Sequence, residues 1–73
     1  MYSRTTCGLC DHAREVLLDE RERTPFAYEE VFIDGDDDLE RAYGLRVPVI
    51  AIDGVETFET EVEPAALREA LER

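Results

Sequence analysis

The chain has 73 residues, nineteen acidic and eight basic, for a formal charge of −11. That is room for a single domain, with a field that repels a nucleic-acid backbone. Its longest uninterrupted apolar run, Val47–Ile52, is far short of the roughly 18 residues needed to cross a membrane, and Met1–Arg4 lacks the apolar stretch of an export signal. A cytoplasmic monomer with neither a nucleic-acid nor a membrane partner is therefore expected.

In chain order, Met1–Arg4 is the first candidate strand. Leu9, Ala13, Val16 and Leu17 recur at i, i+4, i+7 and i+8, one face of a helix. That helix starts near Cys7–Gly8 and fades around Arg23, where Thr24-Pro25 breaks it. Phe26–Ile33 is rich in aromatic and β-branched residues and reads as a strand. Asp37 followed by Glu40 resembles a helix cap with an acid at N3; Leu39, Ala42 and Tyr43 give the apolar face, and Gly44 is placed to end the helix in a left-handed conformation. Val47–Ile52 is a candidate buried strand, Asp53-Gly54 a hairpin turn, and Val55–Glu59 its antiparallel partner. Pro64 suits the first turn of a last helix with Leu67, Ala70 and Leu71 inward. Strand, helix, strand, helix, strand, strand, helix is an α/β order: a mixed four-stranded sheet covered by three helices.

Cys7-Gly8-Leu9-Cys10 carries the chemistry. It follows a strand candidate and opens a helix, whose N-terminus bears about half a positive charge and unpaired amides that stabilise a thiolate. One helical turn brings the second sulfur to disulfide reach of the first. Cys7 is then the exposed nucleophile and Cys10 the resolving thiol. The plainer readings are half of a zinc site or an inert thiol pair. A structural staple explains little, since so short a loop removes little chain entropy, and in a reducing compartment such pairs are redox-active or metal-binding. Proline inside Arg46-Val47-Pro48-Val49 removes a ladder donor, which an edge position or a cis peptide at the strand start would excuse.

Taken together, Tyr2-Ser3-Arg4, Cys7-x-x-Cys10-Asp11, Tyr43-Gly44-Leu45-Arg46-Val47-Pro48-Val49 and Asp53-Gly54 resemble the glutaredoxin-like members of the thioredoxin superfamily, in particular the small prokaryotic proteins with a CxxC-D site. The resemblance spans nearly the whole chain. It implies a thioredoxin-like fold, a cis Pro48 packed beside Cys7 and Cys10, and Val47 offering backbone groups to a substrate. Three features depart from the family pattern. Gly8-Leu9 replaces the Pro-Tyr common in glutathione-using glutaredoxins. Thr60-Glu61-Val62-Glu63 stands where those enzymes carry a glycine pair for the γ-glutamyl end. Finally, at most four residues precede Thr5, so the first strand is short or starts upstream.

Around this centre, Arg4 and Arg46 are candidate rim cations that lower the Cys7 pKa or attract an anionic thiol; the plainer reading of each is a solvated arginine. Asp11 and the net charge act against the thiolate. His12, with Cys7 and Cys10, would make three zinc ligands, but Asp11 points about 100° away as a fourth, and a surface histidine is simpler. The tyrosines and phenylalanines are read as core. Glu59, Glu61 and Glu63 alternate as on a solvated strand face, with no EF-hand pattern for calcium. All eight bases are arginine, and Lys, Asn and Gln are absent; with the acidic surplus this reads as adaptation to salt, which at about 1 M shortens the Debye length to 3 Å.

The expected activity is exchange between the Cys7/Cys10 dithiol and a protein or small-molecule disulfide, with no bound cofactor and with a reductase or glutathione as the candidate reductant, of which glutathione is expected to serve poorly. A metal or iron–sulfur carrier using Cys7, and a redox-inactive interaction module, are the alternatives.

Overall fold

The computed structural model describes residues 1–72. Its elements are β1 (Tyr2–Ser3), α1 (Gly8–Arg23), β2 (Val31–Phe32), α2 (Asp37–Tyr43), β3 (Val49–Ile52), β4 (Val55–Glu59) and α3 (Pro64–Leu71), in the predicted order. The strands lie side by side as β2-β1-β3-β4. β1 runs parallel to β2, Tyr2 opposite Val31, and antiparallel to β3, Tyr2 opposite Val49. β3 and β4 form the hairpin. Asp53 and Gly54 turn it with φ of 52° and 82°, the left-handed pair that a type I′ turn demands.

Because successive strand residues face opposite ways, the sheet has two covered faces. Ile50 lies on one, in a core with Ala13 and Leu17 of α1, Leu67 of α3 and Val62. Val49 points to the other face and is fully buried, as is Ile33. There Tyr2 stacks on Tyr43 at the end of α2, centroids 4.1 Å apart and planes 11° from parallel. None of the helices among the described residues is long and apolar enough to cross a membrane.

The structure corrects several local expectations. Leu9 is 47% exposed, because the buried face of α1 starts at Cys10 and continues through Ala13 and Leu17. Phe26–Ile33 forms a ladder only at Val31–Phe32. Its neighbour β1 is two residues long, and before Val31 the described pairing adds only the bond from the Met1 nitrogen to the Glu29 carbonyl. The cap of α2 is Asp36, not Asp37; its carboxylate accepts the Leu39 amide at 3.1 Å. Gly44 stays right-handed, φ −53°, since the chain continues into a turn rather than reversing. Small size is what matters there: a Cβ would press on the Glu40 carbonyl and the Arg4 guanidinium. β3 starts at Val49, one residue after Pro48, which has no amide for the ladder. The Glu59–Glu63 alternation is not a strand face: β4 ends at Glu59 and Thr60 takes φ 68°. Val62 turns into the core.

Candidate active site: the Cys7–Cys10 pair at the start of α1

Cys7 and Cys10 form a disulfide, with Cα atoms 5.2 Å apart. Cys7 is the N-cap of α1, in extended backbone geometry. Its Sγ accepts the Cys10 amide at 3.1 Å, and its carbonyl accepts the Asp11 amide at 3.0 Å. The sulfur thus occupies the place a serine or aspartate oxygen takes in an ordinary cap, at the positive end of the helix. The two cysteines are not equivalent. Cys10 is fully buried, whereas Cys7 is half-buried and flanked by exposed Thr5, Thr6, Gly8 and Leu9. An incoming group reaches Cys7 first.

The strand-to-helix loop is pinned on both sides. The Thr5 amide donates to the Asp34 carboxylate at 3.0 Å. Arg4 spans to α2, donating to Glu40 at 3.0 Å and to the Gly44 carbonyl at 3.3 Å. Arg46 is held as firmly. It donates to the Ala42 carbonyl and to the carboxylates of Glu56 at 2.9 Å and Glu59 at 3.1 Å, with its guanidinium 5.3 Å from the centre of the Tyr43 ring. Those two carboxylates raise the Arg46 pKa. Each candidate rim cation therefore has carboxylate company. The Val47–Pro48 peptide is cis, as the resemblance implies, and Pro48 is buried.

One cluster was not predicted. Glu30 accepts from the Ser3 hydroxyl at 2.6 Å, from the Tyr28 hydroxyl at 2.7 Å and from Arg14 at 2.8 and 2.6 Å. Arg14 also donates to Asp11 at 2.9 Å. Arg14 above all, then Ser3 and Tyr28, offset the cost of burial and hold the Glu30 carboxyl down at about 2. Burial first, then the bond to Glu30, pushes the Tyr28 hydroxyl above its usual range. The cluster ties the first turns of α1 to β1 and to the segment before β2. A signal existed: Glu30 shares the inward parity of Phe26 and Tyr28, and an acid on an apolar face needs a cation. The sequence does not say which arginine. His12 lies exposed on α1, and no three His, Cys, Asp or Glu among the described residues converge as metal ligands.

Comparison with known proteins agrees with this fold. The structural-genomics target XcR50 from X. campestris, solved by X-ray crystallography, is 41% identical, with a TM-score of 0.83 over 97% of this chain and 91% of that one. Its solution structure is 40% identical, with a TM-score of 0.80 over 99% and 88%. Among curated proteins none matches significantly. The sequence profile of the glutaredoxin-like domain (DUF836) matches residues 1–72. With a mixed sheet of thioredoxin-like topology and a CxxC disulfide at the head of its first helix, the chain belongs to the glutaredoxin-like domain family.

Proposed function

We propose that this protein is a dithiol–disulfide oxidoreductase. The observation that carries the proposal is the asymmetry of the pair: a half-exposed sulfur caps α1 and a fully buried sulfur lies one turn inside. In the reduced protein the Cys7 thiolate attacks a substrate disulfide R–S–S–R′, forming Cys7–S–S–R and releasing R′S⁻, which takes up a proton. Cys10 loses its proton and attacks Cys7 Sγ, expelling RS⁻ and closing the Cys7–Cys10 bond. Two electrons and two protons pass to the substrate, and an external dithiol or reductase returns them. The cysteine pair is the redox group, and the reaction needs no bound cofactor. Cys10 N–H and the helix dipole stabilise the Cys7 thiolate. Val47 and Pro48 form the backbone platform for the substrate, and Arg4 and Arg46 the polar rim, tempered by Glu40, Glu56 and Glu59.

The substrate is a protein disulfide or a small neutral or cationic thiol compound of the cytoplasm, and glutathione is a poor reductant. The residues from Thr60 to Glu63 present acids and a left-handed threonine where a γ-glutamyl group would need close backbone approach, and the net charge of −11 repels an anion. The test is stopped-flow alkylation and turnover. Iodoacetamide should modify Cys7 of the reduced protein before Cys10, and a bare uncharged dithiol should support reduction of a model disulfide faster than glutathione at equal thiol concentration. Faster alkylation of Cys10 contradicts the assignment of roles. A clear advantage for glutathione at low and high salt contradicts the substrate reading.

A further inference from the structure

A helix leaves its last carbonyls without intrahelical partners, at an end that favours positive charge. In α2 those carbonyls go to two arginines from different loops. The Ala42 carbonyl accepts from the Arg46 side chain at 3.3 and 2.9 Å, and the Tyr43 carbonyl accepts the Arg46 amide at 2.9 Å. The Gly44 carbonyl accepts from Arg4 at 3.3 Å. Arg4 also reaches one turn back along α2, to the Glu40 carboxylate at 3.0 Å. Arg4 lies three residues before Cys7, and Arg46 two before Pro48. The last turn of α2 thus holds both the loop that carries the sulfur and the loop that carries the proline.

The rest of the fold brings both loops to that turn. β1 pairs antiparallel with β3 through Tyr2 and Val49, so the close of β1 and the start of β3 lie at the same end of the sheet. Tyr2 stacks on Tyr43, which sets the end of α2 beside them. The seat for Arg4 is also shaped by residue choice. Gly44 has φ −53°, a conformation open to any residue, so the backbone does not require glycine there. A Cβ at that position would lie 2.8 Å from Arg4 Nη2, in the place of the guanidinium. Beyond Arg4 the Thr5 amide is held by Asp34, and only Thr6 separates this anchored stretch from Cys7.

We propose that the last turn of α2 is a mount for the cysteine loop, in which Glu40 acts as a positioning residue for Cys7 through Arg4. Its functional consequence rests on the dithiol reading above. With Arg4 seated, the loop delivers Cys7 Sγ to the Cys10 amide at the positive end of α1. With the seat lost, the sulfur leaves that amide more often, and a thiolate there loses its donor. A role for Arg4 as a free cation has the opposite sign. Removal of Glu40 would then release the guanidinium toward the thiolate and lower its pKa. The other charges beside this loop, Asp11 on α1 and Asp34 at the Thr5 amide, are the same in both cases.

The test is the pH profile of Cys7 alkylation by iodoacetamide in the reduced protein, followed at that residue by mass spectrometry. It can be read whether or not the protein turns over a disulfide. The Arg4 and Glu40 side chains are 32% and 38% exposed, and an ion pair so exposed adds little to stability, so the variants fold, as Tm will verify. Glu40→Ala and Arg4→Ala should each move the midpoint of the profile up by about half a pH unit, a roughly threefold loss of rate at pH 7. The double variant should move it no further, because both changes empty one seat. Glu40→Gln still offers an oxygen to Arg4 and should stay within about 0.2 of a pH unit of the parent. The proposal is overturned by an unchanged or lowered midpoint in Glu40→Ala, by equal shifts in Glu40→Gln and Glu40→Ala, or by additive shifts in the double variant. Each of those results leaves the dithiol reading standing, since that reading fails on turnover and on the order in which the parent's two cysteines are alkylated.

Discussion

Glu30 and Glu20 are both acids drawn inside beside an arginine, one near each end of α1, and they are held in different ways. Glu30 meets three different side chains, from β1, α1 and the approach to β2. Its partner Ser3 is fully buried. Glu20 is the more deeply buried acid, 1% exposed, and takes Arg68 of α3 at 3.2 Å and the Thr24 hydroxyl at 3.3 Å. The bond to Arg68 is the main cause that lowers its pKa. The Arg68 side chain is nearly half exposed, so it can return to water if Glu20 is lost. Ser3 and Tyr28 have less freedom to do so. The first acid locks a helix to a sheet directly behind the cysteines; the second clips two helices together far along α1. Depth of burial and structural consequence are therefore separate quantities.

The proposed function puts chemistry at one end of α1 and not the other. The sharpest check is Cys7→Ser, which should lower turnover of a model disulfide by at least about 100-fold, while Tm under reducing conditions stays close to that of the parent. Retained turnover would detach function from the helix start. Next in size, Glu30→Ala leaves two hydroxyls and Arg14 without their acceptor. It should cost about 1–3 kcal/mol, read as a Tm lower by roughly 5–20 °C. Its exchange equilibrium with a reference dithiol should also move, because Arg14 then faces the cysteine end of α1 with only Asp11 to balance it.

Acid sharpens the same point. The folded pKa of Glu30, about 2, lies below its ordinary value of about 4.3, so its contribution to stability is complete above that ordinary value. As pH falls toward 2 that contribution is lost. Urea midpoints between pH 6 and 2 should fall, and the Glu30→Ala protein should show a shallower fall over the same window. Smaller again, Glu20→Ala should lower Tm less than Glu30→Ala and leave the exchange equilibrium unchanged. A reversal of that order would show that burial depth governs after all. The mildest effect concerns the whole surface: Tm should rise between about 0.1 and 2 M potassium chloride as screening relieves repulsion among nineteen acids. A falling Tm would argue against salt adaptation.

Local chemistry made most of the architecture legible. Asp53-Gly54, Pro64, the break at Thr24-Pro25 and the CxxC at a strand-to-helix junction each act through neighbours in sequence, so each element appears where its own residues predict. Features that depend on distant partners were not legible. Phe26–Glu30 has the composition of a strand, but a ladder needs a neighbour of matching length, and β1 supplies only Tyr2 and Ser3. The pairing of Glu20 with Arg68 joins residues 48 positions apart, and the Tyr2–Tyr43 stack depends on how α2 crosses the sheet. Leu9 fits a helical apolar period, yet it lies at the exposed tip where the helix has nothing to pack on. At the candidate site the cysteines were evident from their motif, and the cis Val47–Pro48 peptide followed only from the family resemblance, since the local residues leave it open, whereas the Ser3–Arg14–Tyr28–Glu30 cluster exists only once three elements have met.

Cys7 caps α1 with the same atom that is proposed to react, and this ties two equilibria together. In the closed bridge that sulfur accepts the Cys10 amide, and a thiolate or mixed disulfide at the same place would accept the bond with a different strength. By reciprocity, a sulfur state that caps better is itself favoured by an intact first turn, and a frayed first turn penalises that state. The helix start is then a built-in meter of oxidation. The Cys10 amide proton, bonded directly to the reacting sulfur, should report each stage of the exchange by its chemical shift without any added probe.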